Sequence, residues 1–201
     1  ENMTQPMKIL RVDSSAKTEN SESRRLTDRI IDGLKTNGKS LEVTVRDLNE
    51  SLPQVNTAWI EANNTASDDQ TDEHKKTLEL SNTLVGEIEA ADTLIIGVAL
   101  YNFSITASLK LWIDLVCRAR KTFAYVDGSP KGLMTGKKAI ICFASGGTPF
   151  ESDIDFASGY LKHILGFIGI TDVTFISADK HFMDDQSVIN ANTAVDALTN
   201  R

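Results

Sequence analysis

Three short stretches hold the residues most able to do chemistry. The first carries Ser14, Ser15, Thr18, Ser21 and Ser23, small hydroxyls that lead into a helical pattern. Free N–H groups and the helix dipole at such an N-terminus suit an anion, and hydroxyls add donors without bulk. Ordinary N-capping by Ser21 or Ser23 is the competing reading, although one Ser is enough for a cap. Glu22 opposes an anion there; Lys17, Arg24 and Arg25 offset it only where they face it. The second stretch is Leu100-Tyr101-Asn102-Phe103-Ser104, where two aromatics bracket an Asn. It serves either as a lid on the core or as a wall for a flat ligand, with Asn102 and backbone N–H groups bonding the ligand's polar edge. The third is Ala144-Ser145-Gly146-Gly147-Thr148-Pro149. Paired glycines let a ligand approach the backbone closely, unless they form a plain turn.

Each stretch follows an expected strand. Met7-Lys8-Ile9-Leu10-Arg11-Val12 is a β-rich run, after a lead of residues 1–6 expected to be disordered. Leu26, Ile30, Ile31 and Leu34 recur at helical spacing, and Gly38 marks the stop. Residues 41–46 alternate like a half-exposed edge strand. A short helix is expected at 57–63 and one long helix over 71–91, with Leu78, Leu80, Leu84, Val85 and Ile88 inward. Residues 93–99 and 139–144 are continuous apolar runs, as in strands covered on both faces of a parallel sheet. Between them, Ile105, Leu109, Trp112, Ile113 and Val116 form one helix face, and an excursion at 121–136 holds Gly128-Ser129-Pro130 and Gly132. A helix over 153–167, a fifth strand at 173–176 and a last helix at 184–198 complete the pattern. This alternation implies one α/β domain over 7–201, with a five-stranded parallel sheet and helices on both faces. The expected order is 2-1-3-4-5, which puts ligands beyond the carboxyl ends of strands 1, 3 and 4.

Several chemistries are excluded. There is no Gly-x-Gly-x-x-Gly after the first strand and no Gly-x-Ser-x-Gly elbow, and the one Gly-x-x-x-x-Gly-Lys-Ser/Thr spelling, Gly33 to Ser40, ends a helical pattern before a strand rather than joining a strand to a helix as a phosphate-binding loop does. Asp13 lacks the further acidic residues and lysine of a phospho-acceptor site. Acidic residues outnumber basic ones 28 to 21, for a net charge of −7, which argues against nucleic acid as a partner. Cys117 and Cys142 sit in apolar patterns, and they and three scattered histidines make no metal-ligand spacing. No apolar run reaches the roughly 18 residues of a membrane span, and no leader pattern opens the chain, so the expectation is a cytoplasmic protein without a membrane partner. Taken jointly, the three loops describe a site for a flat, polar-edged, phosphate-tailed cofactor, and flavin mononucleotide (FMN) fits that description.

Longer motifs agree. They are Leu100-Tyr101-Asn102-Phe103-Ser104-Ile105, Leu109-Lys110-x-x-Ile113-Asp114, Arg118-Ala119-x-x-Thr122-Phe123-x-Tyr125, Gly132-Leu133-x-x-Gly136-Lys137-Lys138-Ala139 and Leu165-Gly166-Phe167-Ile168-Gly169-Ile170. With these the chain resembles the FMN-dependent NADH-azoreductase family, among the flavodoxin-like NAD(P)H:quinone oxidoreductases, from Met7 to the last helix. The resemblance implies a flavodoxin-like three-layer sandwich and a homodimer with FMN at the subunit interface. It implies that NADH (or NADPH) reduces the flavin and leaves, and that a quinone or azo compound then takes two electrons in ping-pong order. Ser15, Ser21, Glu22 and Ser23 would hold the phosphate end; Leu100, Tyr101, Asn102 and Phe103 would wrap the ring; Ser145, Gly146 and Gly147 would line its pyrimidine edge. Phe123, Tyr125 and Phe167 would border the substrate pocket. No catalytic side chain is implied, because the flavin carries the chemistry. The chain departs from the pattern at Glu22, where many relatives have Gln, at Ala144-Ser145, which lacks an expected Arg, and at Thr148-Pro149. A flavodoxin-type electron carrier is the alternative; its phosphate loop, ending in Gly-x-Thr, is missing here.

Overall fold

In the computed structural model, residues 5–201 are described. Of the expected lead, residues 1–4 lie outside the described residues. The sheet strands are β1 (Met7–Asp13), β2 (Leu41–Asp47), β3 (Thr93–Ala99), β6 (Lys138–Ala144) and β7 (Asp172–Ala178). All neighbours in this sheet are parallel, and the order is β2-β1-β3-β6-β7. The expected numbering 2-1-3-4-5 is corrected, because two further strands intervene. The excursion at 121–136 folds into an antiparallel hairpin of β4 (Phe123–Val126) and β5 (Ser129–Gly132). Its two-residue turn, Asp127-Gly128, has φ of 51° and 78°, the left-handed pair that matches strand twist.

Side chains alternate across the sheet with period two. Ile9, Ile95, Cys142 and Ile176 point to one layer, where α1 (Glu22–Thr36) and α7 (Asp185–Thr199) supply Leu26, Ile30, Ile31, Ala191 and Val195. Leu10, Leu94, Ile96, Ile141 and Phe143 point to the other. There α2 (Thr57–Asn64), α4 (Glu79–Ala90), α5 (Ala107–Val116) and α6 (Ser158–Phe167) supply Trp59, Leu84, Ile88, Leu109, Trp112, Leu161 and Leu165. The pattern is a three-layer sandwich, and β2 lies at an edge as its alternation implied.

Two helix expectations are corrected. The span 71–91 is not one helix: α3 (Asp72–Thr77) ends at Leu78, and α4 starts beyond it. Leu78 is buried while α3 buries nothing, so the bend lets the apolar α4 pack and leaves the polar turn outside. Helix α6 begins at Ser158 rather than at 153. The Asp155 carboxylate accepts from the N–H groups of Glu151, Ala157 and Ser158 and from Ser158 Oγ, which fixes a turn where the helix was expected.

Burial pushes the Cys117 thiol up to about 11 and shifts Cys142 upward as well, so both behave as small hydrophobes. The hairpin docks backbone to backbone on the end of α6. Met134 N–H donates to Ile168 C=O at 2.8 Å, and a Cβ on Gly132 would lie 2.1 Å from Gly169 N. Gly132→Ala therefore requires the backbone to move, at a cost of roughly 2 kcal/mol for overpacking. A fall in Tm of about 4–8 °C is expected for a chain of this length. Gly86→Ala, in the open interior of α4 with nothing within 4 Å, is expected to raise Tm instead.

Candidate functional site

The loops after β1, β3 and β6 meet over the carboxyl ends of the sheet and enclose a cleft of about 260 Å³. Of the residues expected there, Ser15, Ser21, Glu22, Ser23, Leu100, Tyr101, Ser145 and Gly146 line it. Asn102 and Phe103 form the tip of the second loop beside it, and Gly147 lies next to Met183. Phe123, Tyr125 and Phe167 do not reach the cleft. They cluster with one another at the hairpin, with ring centroids 4.6 Å apart for Phe123–Phe167 and 6.0 Å for Phe123–Tyr125. A larger groove of about 670 Å³ between α1 and α7 is open and runs to their C-terminal ends, away from the three loops.

Hydrogen bonding separates the hydroxyls of the first loop. Ser14 is spent within the fold, donating to Gly97 C=O at 2.6 Å. Ser15 Oγ only accepts, from Lys17 N–H. Ser21 Oγ caps α1 by accepting from Arg24 N–H and lies 3.3 Å from Ser23 Oγ. Among the described residues, the Ser15 proton and one proton of the Ser21–Ser23 pair therefore have no acceptor. Both N-capping and ligand donation are open to Ser21, so the two readings do not compete.

Charges around this loop are paired. Arg24 donates to the carbonyls of Lys17 and Ser15 at 2.8 Å each and forks onto Asp47 at 3.0 Å. That hydrogen bond holds Asp47 below the usual carboxylate range and raises Arg24. Asp13, buried under the loop, is neutralised by Arg11 Nε at 2.8 Å and Arg24 Nη1 at 3.6 Å. The Glu22 carboxylate is held by Arg25 at 2.5–3.0 Å, which raises the Arg25 pKa.

The second loop is a tight turn closed by reciprocal bonds between Tyr101 and Ser104, 2.9 and 3.1 Å long. Asn102 (φ 49°) and Phe103 (φ 67°) both occupy the left-handed region. Asn tolerates this, but a bulky aromatic does so at a cost. Phe103 is 53% exposed, so burial does not compensate. The turn is braced by Phe156 N–H donating to Phe103 C=O, and Tyr101 Oη receives the Ala16 N–H, which ties the first loop to the second.

The third loop is bonded to a segment that the sequence reading passed over. Ser145 Oγ donates to Thr148 C=O and accepts from Lys180 N–H, and His181 N–H donates to Ser145 C=O. His181 and Phe182 thereby enter the cleft wall. The Phe182 ring covers Gly146: a Cβ at 146 would stand 2.5 Å from it. The aromatic run after β7 was the available signal, since it follows the carboxyl end of a strand as the other three loops do. The N–H groups of Gly146 and Gly147 have no acceptor among the described residues.

A parallel sheet in this order, with unspent donors, an aromatic turn and a glycine turn over the β1/β3 switch point, defines an α/β protein of the flavodoxin type. A family model described as "Flavodoxin-like fold" matches residues 7–199, and the chain belongs to that family. It is 52% identical over 191 residues to "FMN-dependent NADH:quinone oxidoreductase 1" of Jannaschia sp. (strain CCS1), across 94% of this chain and 97% of that protein. It is 48% identical over 193 residues to the protein of the same name from Colwellia psychrerythraea, across 96% and 100%. A crystal structure of azoreductase from Bacillus anthracis str. Sterne matches with a TM-score of 0.87 and 26% identity, over 96% of this chain and 99% of that one. The resemblance read from the sequence is thus shown.

Phe103→Gly removes the cost of a side chain at positive φ. Urea unfolding of the flavin-free protein is expected to show a gain of about 1 kcal/mol, with weaker binding of the cleft's ligand.

Proposed function

We propose that this chain is an FMN-dependent NADH:quinone oxidoreductase with azoreductase activity. The observation that carries this reading is the set of donors without acceptors around one cleft: the Ser15 hydroxyl, the Ser21–Ser23 pair and the Gly146 and Gly147 N–H groups. An anionic tail at the hydroxyl end and a polar ring edge at the glycine end match FMN, so the residues present fit the group. When bound, FMN supplies two-electron hydride transfer from NADH to a quinone or azo acceptor.

The chain's own residues bind, orient and shield. Ser15 and one hydroxyl of the Ser21–Ser23 pair would donate to the phosphate at the α1 N-terminus, with Glu22 kept neutralised by Arg25. Leu100, Tyr101, Asn102 and Phe103 form the wall that holds flat reactants parallel, chiefly a proximity effect. The Gly146 and Gly147 N–H groups stabilise negative charge at the ring's polar edge, with Ser145 fixing their turn. The Phe123–Tyr125–Phe167 cluster lies outside its own cleft, so it would border an acceptor pocket only from a second copy of the chain. Tyr125 is 69% exposed, and Val126, Phe103 and Phe156 are also exposed, as an apolar interface would leave them in one protomer. These exposed side chains support a homodimer. Near-full-length likeness to named oxidoreductases favours the enzyme over an electron carrier.

Anaerobic NADH is expected to bleach protein-bound FMN directly, and a quinone to restore the colour, with parallel double-reciprocal plots. Bound flavin that NADH leaves oxidised would return the carrier reading. Light scattering at micromolar concentration is expected to give twice the chain mass, and Tyr125→Ala to raise the KM for quinone while leaving FMN affinity unchanged.

A further inference from the structure

An anion entering at the α1 N-terminus meets one carboxylate, Glu22, and three nearby arginines. The arginines are committed elsewhere. Arg11 is paired with Asp13 and Asp28, and Arg24 with Asp47 and two loop carbonyls. Arg25 holds Glu22 and also donates to Asn192 at 2.7 Å. Moving any of them exposes a carboxylate to the incoming charge, so the net gain is small. Lys17 differs. It lines the cleft, it is exposed, and it has no ion pair among the described residues. Its Nζ lies 5.9 Å from the centre of the Phe182 ring, so this side chain and Phe182 bridge the cleft between the first loop and the segment after β7. His181, the other basic group of the wall, stacks edge-on against the same ring, with centroids 4.5 Å apart.

We propose that Lys17 is the cation that recognises the phosphate of the bound flavin nucleotide, leaving the Phe182 face to do so. The proposal rests on the FMN reading above and deepens it. An exposed ammonium over a ring is a weak contact, whereas an ammonium beside a phosphate dianion makes a charge-assisted hydrogen bond. The exchange therefore runs toward the phosphate. It is also compatible with an acidic residue at 22: Arg25 cancels Glu22, and Lys17 adds a full positive charge to the partial one of the helix dipole.

Affinities of the full chain, stripped of flavin, for FMN and for riboflavin are read by quenching of flavin fluorescence. Riboflavin has the same ring and no phosphate, so it reports on the rest of the cleft. Lys17→Met is expected to weaken FMN about tenfold, flatten its salt dependence and leave riboflavin unchanged, while Lys17→Arg stays within about twofold of the parent for both. FMN affinity unchanged in Lys17→Met would overturn the proposal. So would an equal loss of both flavins, which marks a structural role. If the parent chain binds neither flavin, the cofactor reading falls and takes this proposal with it; if the parent binds FMN and only the Lys17 effect is missing, the cofactor reading stands.

Discussion

The guanidinium of Arg24 reaches back from the first turn of α1 to the carbonyls of Ser15 and Lys17, and forks onto Asp47 at the end of β2. This one group shapes the first loop from outside. A polar loop with no apolar anchor would otherwise sample many conformations, each costing entropy to select. With the Ser15 and Lys17 carbonyls held by Arg24, the Ser15 hydroxyl is left at the cleft with a proton to give. The buried Asp13–Arg11 pair beneath keeps the arrangement close to neutral, so the helix dipole is not cancelled at its own end.

The second loop shows the opposite economy. Its turn is closed by two hydrogen bonds and braced from the loop before α6, yet it holds a phenylalanine in a conformation glycine would adopt freely. Such strain persists only where the surroundings over-determine it. Here the ends of β3 and β6 are locked by Leu100 N–H donating to Ala144 C=O, and the wall is thereby fixed relative to the glycine turn. Preorganisation of this kind lowers the entropy lost when a flat ligand is taken up.

The central strands were plain in the sequence, because residues 93–99 and 139–144 are apolar on both faces, and α5 because Leu109, Trp112, Ile113 and Val116 share one side. The three loops followed from topology alone. What escaped has physical causes. The Asp127-Gly128 turn joins strands of four residues each, too short for a period to register. The bend at Leu78 depends on what α4 packs against, and the late start of α6 on Asp155 bonding its neighbours. Phe182 sits after the last strand, and only the folded chain brings its ring over Gly146. The Glu22–Arg25 pair is local, but that Arg24 is committed to Asp47, and Arg25 also to Asn192, could not be read from spacing, since those partners are distant in sequence.

Quinones are electrophiles as well as oxidants, and thiolates add to them irreversibly. The chain has two cysteines. One is fully enclosed between sheet and helix layer, and the other keeps its proton through the physiological range because burial raises its pKa to about 11. On the proposed activity, the scaffold handles an arylating compound turnover after turnover without offering it a cysteine thiolate.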